Sequence, residues 1–142
     1  MNGKRHGKGK DYNFGGDVIF EGEYYWDSRL RGKKYIKGRL EYEGEYLFNQ
    51  KWNGKGYDEH GNIIYELNNG KGIIKEYNSY DDTLNYEGEY LNGKKNGKGK
   101  EYWKGQLTFE GIYLNGKQWE GKKIIYRGRK KIFSIRNGKE EQ

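Results

Sequence analysis

Tyr42-Glu43-Gly44-Glu45-Tyr46 and Tyr86-Glu87-Gly88-Glu89-Tyr90 are the same five-residue word, and two variants flank them: Phe20-Glu21-Gly22-Glu23-Tyr24 and Phe109-Glu110-Gly111-Ile112-Tyr113. A fifth, altered copy begins at Tyr65, so the words start at 20, 42, 65, 86 and 109, with spacings of 22, 23, 21 and 23 residues. Spacing this regular marks an internal repeat, and a unit of this length is too short for two helices with loops. Each unit is therefore one small supersecondary element. On a strand, a period of two puts Tyr42, Gly44 and Tyr46 on one face and Glu43 and Glu45 on the other. The aromatic face is predicted to pack and the glutamate face to meet water.

Working outward, the tripeptide Asn-Gly-Lys occurs seven times, beginning at Asn2, Asn53, Asn69, Asn92, Asn96, Asn115 and Asn137. Asn-Gly between alternating segments signals a hairpin, because a type I′ turn needs positive φ at both central residues. Glycine turns are expected downstream of each word, at Asn53-Gly54-Lys55-Gly56 and Asn96-Gly97-Lys98-Gly99. Weaker versions stand at Gly32-Lys33-Lys34 and Gly121-Lys122-Lys123. The predicted fold is all-β: an elongated, solenoid-like row of consecutive antiparallel β-hairpins in one domain over 1–142, with helix nearly absent. It comprises a partial repeat at 1–19, repeats starting near 20, 42, 65, 86 and 109, and a degenerate terminal repeat at 131–142. Residues 2–12 match 92–102 at a constant offset of 90, which predicts a start in mid-repeat. The terminal units are expected to cap the row or to dock onto a second copy, giving a homodimer.

Composition narrows the function. Of 142 residues, 32% are hydrophobic and 35% charged, yet there are 15 Tyr, 4 Trp and 5 Phe, so the chain has the aromatic material for a core that disordered chains lack. With no Cys, disulfides, thiolate metal sites and a cysteine nucleophile are excluded. Two His and the three serines Ser28, Ser79 and Ser134 offer little for a triad or a zinc site. Gly88–Lys94 and Gly111–Lys117 spell G-x-x-x-x-G-K, but Lys95 and Gln118 stand where Ser or Thr must reach a metal, so both are read as repeat turns. Glutamate pairs such as Glu43 with Glu45 recur in register with the repeat and are read as a solvated face. Asp81-Asp82 lacks the spaced ligands of a calcium loop and is read as an exposed turn. No apolar run approaches the about 20 residues that span a bilayer. The expected protein is cytoplasmic, with attachment to a membrane surface or the cytoskeleton left open, and it is non-enzymatic, without cofactor or metal.

The net charge of +7 is unevenly spread. Between Glu120 and Glu140 there is no acidic residue, while Lys122, Lys123, Arg127, Arg129, Lys130 and Lys131 fall close together. Clusters of this size attract anionic lipid headgroups, and they also arise as solvated strands. Nucleic acid is disfavoured, since no nucleic-acid-binding fold is spelled.

The word and its period resemble the membrane occupation and recognition nexus (MORN) repeat, whose pattern runs Y-x-G-x-W/Y, then glycines, G-x-G and a second strand. Here the family's usual Trp is Tyr24, Tyr46, Tyr90 or Tyr113, and Lys34 and Lys123 replace the second glycine of G-x-G. From Tyr65 the gap to Gly70 is 5 residues, where Tyr42 to Gly54 is 12, so that hairpin is expected to be redrawn. The resemblance implies an adaptor, a membrane-associated scaffold or a targeting module attached to an enzyme. The leading expectation is a scaffold that binds a protein or peptide in an aromatic groove lined by Phe20, Tyr24, Tyr42, Tyr46, Trp52, Tyr86, Tyr90, Phe109, Tyr113 and Trp119. The alternatives are an anionic-phospholipid binder using the basic end and a repeat fragment of an enzyme-linked protein.

Overall fold

The computed structural model describes residues 5–141. It is all-β: β1 Gly7–Tyr12, β2 Val18–Tyr25, β3 Ser28–Ile36, β4 Arg39–Leu47, β5 Gln50–Tyr57, β6 Ile63–Leu67, β7 Gly72–Tyr77, β8 Leu84–Leu91, β9 Lys94–Trp103, β10 Gln106–Leu114, β11 Lys117–Arg127, β12 Arg129–Arg136 and β13 Lys139–Glu141. Every strand pairs antiparallel with its sequence neighbours, in a six-stranded sheet β1 to β6 and a seven-stranded sheet β7 to β13. The repeated words are β2, β4, β8 and β10, with the altered copy in β6.

A row of glycines crosses each sheet. In the first, Gly9, Gly22, Gly32, Gly44 and Gly54 face one another across four successive strand pairs. In the second, Gly88, Gly99, Gly111 and Gly121 do the same. Rings two residues earlier in each word lie across this row, so a side chain there has no room. A Cβ at Gly99 would stand 2.6 Å from Tyr86 Oη and 2.9 Å from Tyr113 Cε1, and one at Gly54 would stand 2.7 Å from Tyr42 Cζ. The row is interrupted where the sheets part. Leu67 faces Gly54, and Ile74 faces Gly88. With these two buried side chains in the glycine positions, the strands cannot close, and between β6 and β7 the ladder shrinks to one bridge, Asn68 with Lys71. The expected continuous row is thus two sheets, although one buried cluster, including Phe20, Tyr42, Tyr65, Tyr86 and Phe109, runs through both.

The turns correct the sequence reading at four places. Asn53-Gly54 and Asn96-Gly97 lie inside β5 and β9, and the segments from Gly32 and Gly121 lie inside β3 and β11. The hairpins turn instead at Trp26-Asp27, Lys37-Gly38, Phe48-Asn49, Asn69-Gly70, Asn92-Gly93, Lys104-Gly105, Asn115-Gly116 and Asn137-Gly138, each with positive φ at both residues. The in-strand asparagines serve the next turn: Asn53 Oδ1 accepts from Asn69 N–H at 2.7 Å, and Asn96 Oδ1 from Asn115 N–H at 3.0 Å. Neighbouring turns also stack by backbone bonds, with Gly70 N–H donating to Trp52 O, Gly93 N–H to Gly70 O, and Gly138 N–H to Trp119 O. Asn2-Gly3, a further expected turn, lies outside the described residues.

Two of these turns break the local rule. Phe48 has φ of 51° and Trp26 of 49°, where the later turns on the same edge have Asn. Left-handed backbone costs an ordinary L-residue about 1–2 kcal/mol, and Asn tolerates it because its short side chain bonds locally. Phe48 is 86% exposed, so little packing offsets that cost. Phe48→Asn is expected to raise stability by about 1 kcal/mol in urea unfolding; a loss of stability would show that the exposed ring makes a contact the chain depends on.

Candidate functional site

The ten rings predicted to line a groove are placed by the same register. Phe20, Tyr24, Tyr42, Tyr46, Tyr86, Phe109 and Tyr113 are buried, while Tyr90, Trp52 and Trp119 are half-buried. Their edges meet one another: Phe20 with Tyr46 at 5.4 Å between centroids, Tyr42 with Tyr46 at 5.4 Å, and Tyr86 with Tyr113 at 5.4 Å, all T-shaped. The two tryptophans pack against turn glycines, Trp52 beside Gly70 and Gly93, and Trp119 beside Gly138. The expectation of an accessible aromatic groove is therefore corrected. These rings form most of the core, joined by a few aliphatic residues such as Leu67, Ile74 and Ile135.

Over the rings lies a polar spine that sequence reasoning missed. Nine residues after the ring of four words stand Arg29, Lys51, Lys95 and Gln118. Arg29 sits over Phe20 at 4.4 Å, Lys51 over Tyr42 at 5.0 Å and Lys95 over Tyr86 at 4.6 Å. Each cation shares a carboxylate with a tyrosine hydroxyl. Asp11 accepts from Arg29 at 3.1 Å and from Tyr24 at 2.7 Å. Glu41 pairs with Lys51 and accepts from Tyr65 at 2.7 Å, and Glu101 pairs with Lys95 at 3.5 Å and accepts from Tyr113.

Glu41 is 1% exposed, and burial alone would raise its pKa; the charges of Lys51 and Lys34 and the hydrogen bonds from Lys51 and Tyr65 outweigh that and hold it lowered. Burial, only partly offset by Glu41, brings the Lys51 ammonium down to about 8. Burial first, then the neighbouring carboxylate, raises Tyr65 and Tyr113, so both hydroxyls remain donors. These groups hold hairpins together.

One hydroxyl in this spine has no partner among the described residues. Tyr46 Oη is buried and unbonded. Tyr24 and Tyr113 find Asp11 and Glu101, which face Phe20 and Phe109 from the preceding strand. The corresponding residue facing Tyr42 is Lys34, which turns to Glu41 at 3.6 Å instead. Sign reversal at that single position accounts for the orphan.

The basic end forms an overhanging hairpin. β11 and β12 continue to Arg127 opposite Arg129, with Gly128 between them. Lys122 and Lys123 lie further back: Lys122 faces Glu110 across β10, and Lys123 pairs with Glu140 at 3.6 Å. Arg127, Arg129, Lys130 and Lys131 are exposed and make no ion pair among the described residues. Asp82 of the acidic turn is engaged by Arg39 through two bonds of 2.6 and 2.7 Å. No group of three His, Asp or Glu placed to hold a metal occurs among the described residues, and no helix there is long and apolar enough to cross a membrane.

Open relief also lies on the opposite, polar face. There, charges alternate in sign from strand to strand: Lys10, Glu21, Lys33, Glu43, Lys55 and Glu66 stand in one line of cross-strand partners, and Lys75, Glu87, Lys100, Glu110 and Lys122 in another. A second line runs on the other side of each glycine row, so the glycines floor a trough between two charged walls. The trough of the first sheet measures about 590 Å³ and that of the second about 720 Å³. The second is floored by Gly88, Gly99 and Gly111 and contains Ile64, Ile73 and Ile112. No protein-family model and no curated protein matches the chain.

Removing the hydroxyl separates the tyrosines. Tyr46→Phe should leave stability unchanged or slightly higher, whereas Tyr113→Phe should cost about 1–2 kcal/mol by stranding Glu101. Equal losses in thermal or urea unfolding would contradict the register argument.

Proposed function

We propose that the protein is a non-enzymatic MORN-like repeat scaffold or adaptor that binds a protein partner on the glycine-floored polar face of its second sheet. The repeated word and its period of about 23 residues, folded as consecutive hairpins, support the repeat assignment. The binding reading is carried by one observation: an open trough of about 720 Å³ whose walls are charged and whose interior is lined with isoleucine, one of them, Ile73, 72% exposed. Repeat folds commonly present shared frames of this kind and acquire specificity from a few substituted side chains. The test is site-specific crosslinking. A benzophenone side chain replacing Ile73 should give a discrete protein adduct that maps to one segment of the partner. The same group replacing Arg31, on the first sheet, should give none; identical adducts at both positions, or none at Ile73, would overturn the reading.

The overhanging basic hairpin favours a second reading, association with anionic phospholipid surfaces through Arg127, Arg129, Lys130 and Lys131. Exposed charges are screened over about 8 Å at physiological ionic strength, so sedimentation with anionic vesicles should fall steeply as salt rises. Lys130→Glu with Lys131→Glu should abolish most of it. Undiminished sedimentation of that variant would leave the hairpin a solvated tip.

A further inference from the structure

In the first sheet, the wall beside the glycines reads Lys8, Glu23, Arg31 and Glu45 on β1 to β4, with Asn53 next on β5, and Arg31 is paired to Glu23 at 3.4 Å. The same wall in the second sheet reads Ile73, Glu89, Lys98, Ile112. Isoleucine thus replaces a charge at both ends of the trough, on a face that is otherwise charged for water. Breaks of an otherwise consistent local rule tend to fall at functional positions.

The same wall also leaves a cation without an ion pair. Lys98 stands across from Ile112 where the first sheet puts Arg31 across from Glu45, and Glu89 holds the place of Glu23, the partner of Arg31. Glu89 turns its carboxylate to the backbone N–H of Lys98 at 2.6 Å, and Gly97 leaves space for it. Lys98 therefore has no ion pair among the described residues, nor has Lys75, whose cross-strand neighbour Glu87 accepts from Tyr102 at 2.7 Å. The remaining carboxylate of the trough, Glu110, is paired to Lys100 at 3.4 Å. The acids of the walls are engaged and two lysines are free.

Shape restricts the occupant. The two walls are two residues apart along each strand, about 7 Å, too narrow for a helix of about 10–12 Å diameter but wide enough for a single row of side chains. From β7 to β10 the floor crosses three strand spacings, about 14 Å, the reach of about four extended residues. The backbone groups of the floor are consumed in the sheet, so an occupant is held by its side chains.

On the scaffold reading above, we infer that the trough takes an extended acidic segment of a partner protein, in which branched aliphatic side chains seat against Ile73 at one end and Ile112 at the other and carboxylates beside them meet Lys75 and Lys98.

Panning random heptapeptides displayed on phage against the immobilised full chain tests this. The enriched sequences should carry an aliphatic residue with Asp or Glu within two positions on either side. A fluorescein-labelled winner should lose at least tenfold in affinity on Ile73→Ser with Ile112→Ser, and at least tenfold on the exposed Lys98→Glu, in variants that keep the parent's unfolding midpoint. Enriched peptides that are basic or uncharged would overturn the inference while sparing the scaffold. So would binding that ignores the trough variants or fails only with Lys130→Glu and Lys131→Glu. No enrichment of any sequence would overturn the scaffold reading itself.

Discussion

An aromatic ring lying across a pair of facing glycines is the contact on which the rest of this structure depends. The chain has few aliphatic residues, so a hairpin buries apolar surface mainly by laying Phe20, Tyr42, Tyr86 or Phe109 along the sheet, and there the facing glycines leave room for the ring. Four glycine-to-glycine strand pairs in the first sheet follow from this, as does the parting of the sheets where Leu67 and Ile74 take the glycine positions. A ring buried in this way contributes about 1.5–3 kcal/mol. With one main ring per unit, no hairpin is stable without its neighbours, which is the usual condition of a repeat fold.

The packing of rings dictates where charge can go. On the aromatic face, three carboxylates sit in sets of cation, carboxylate and tyrosine hydroxyl, because a buried charge without partners is expensive. Asp11 with Arg29 and Tyr24, Glu41 with Lys51 and Tyr65, and Glu101 with Lys95 and Tyr113 are three such sets. The middle one is the most enclosed. Its carboxylate is held ionised by Lys51 and Lys34, so the stability it supplies is complete above the ordinary value of 4.5 and drains away as pH falls below it. The outer face carries its charges in cross-strand lines of alternating sign, which favour the observed register because a slip would bring like charges together.

The hairpin period, the aromatic face of each word and the exposure of its glutamates were legible in the sequence, since alternation and spacing report them directly. The turns were half legible. Asn69-Gly70, Asn92-Gly93, Asn115-Gly116 and Asn137-Gly138 turn as written, but Asn53-Gly54 and Asn96-Gly97 are the same letters in mid-strand, where the glycine makes room for a ring and the asparagine holds the neighbouring turn. Trp26-Asp27 and Phe48-Asn49 carry no such signal at all. The rings of the words, Phe20, Tyr42, Tyr86 and Phe109 as well as Tyr24, Tyr46 and Tyr113, read as groove residues because alternation assigns a face without saying whether anything covers it. The cation nine residues after Phe20, Tyr42 and Tyr86 was visible as a spacing, and its role emerged only once the strands were in register. Ile73 and Ile112 stand out only against the charged lines of the other strands, which no single strand reveals.

With the rings of the aromatic face consumed by the core, the outer face and the basic hairpin are positioned by the ring-and-glycine frame rather than by their own contacts. The central claim is that frame, and a double-mutant cycle in urea between Gly99→Ala and Tyr86→Leu measures it. The account predicts that the methyl group costs about 1–3 kcal/mol beneath the intact ring and at least about 1 kcal/mol less once the ring is cut back, a coupling typical of residues in direct contact. Effects that add to within about 0.5 kcal/mol would mean that the glycines are there for some reason other than the rings, and would contradict it.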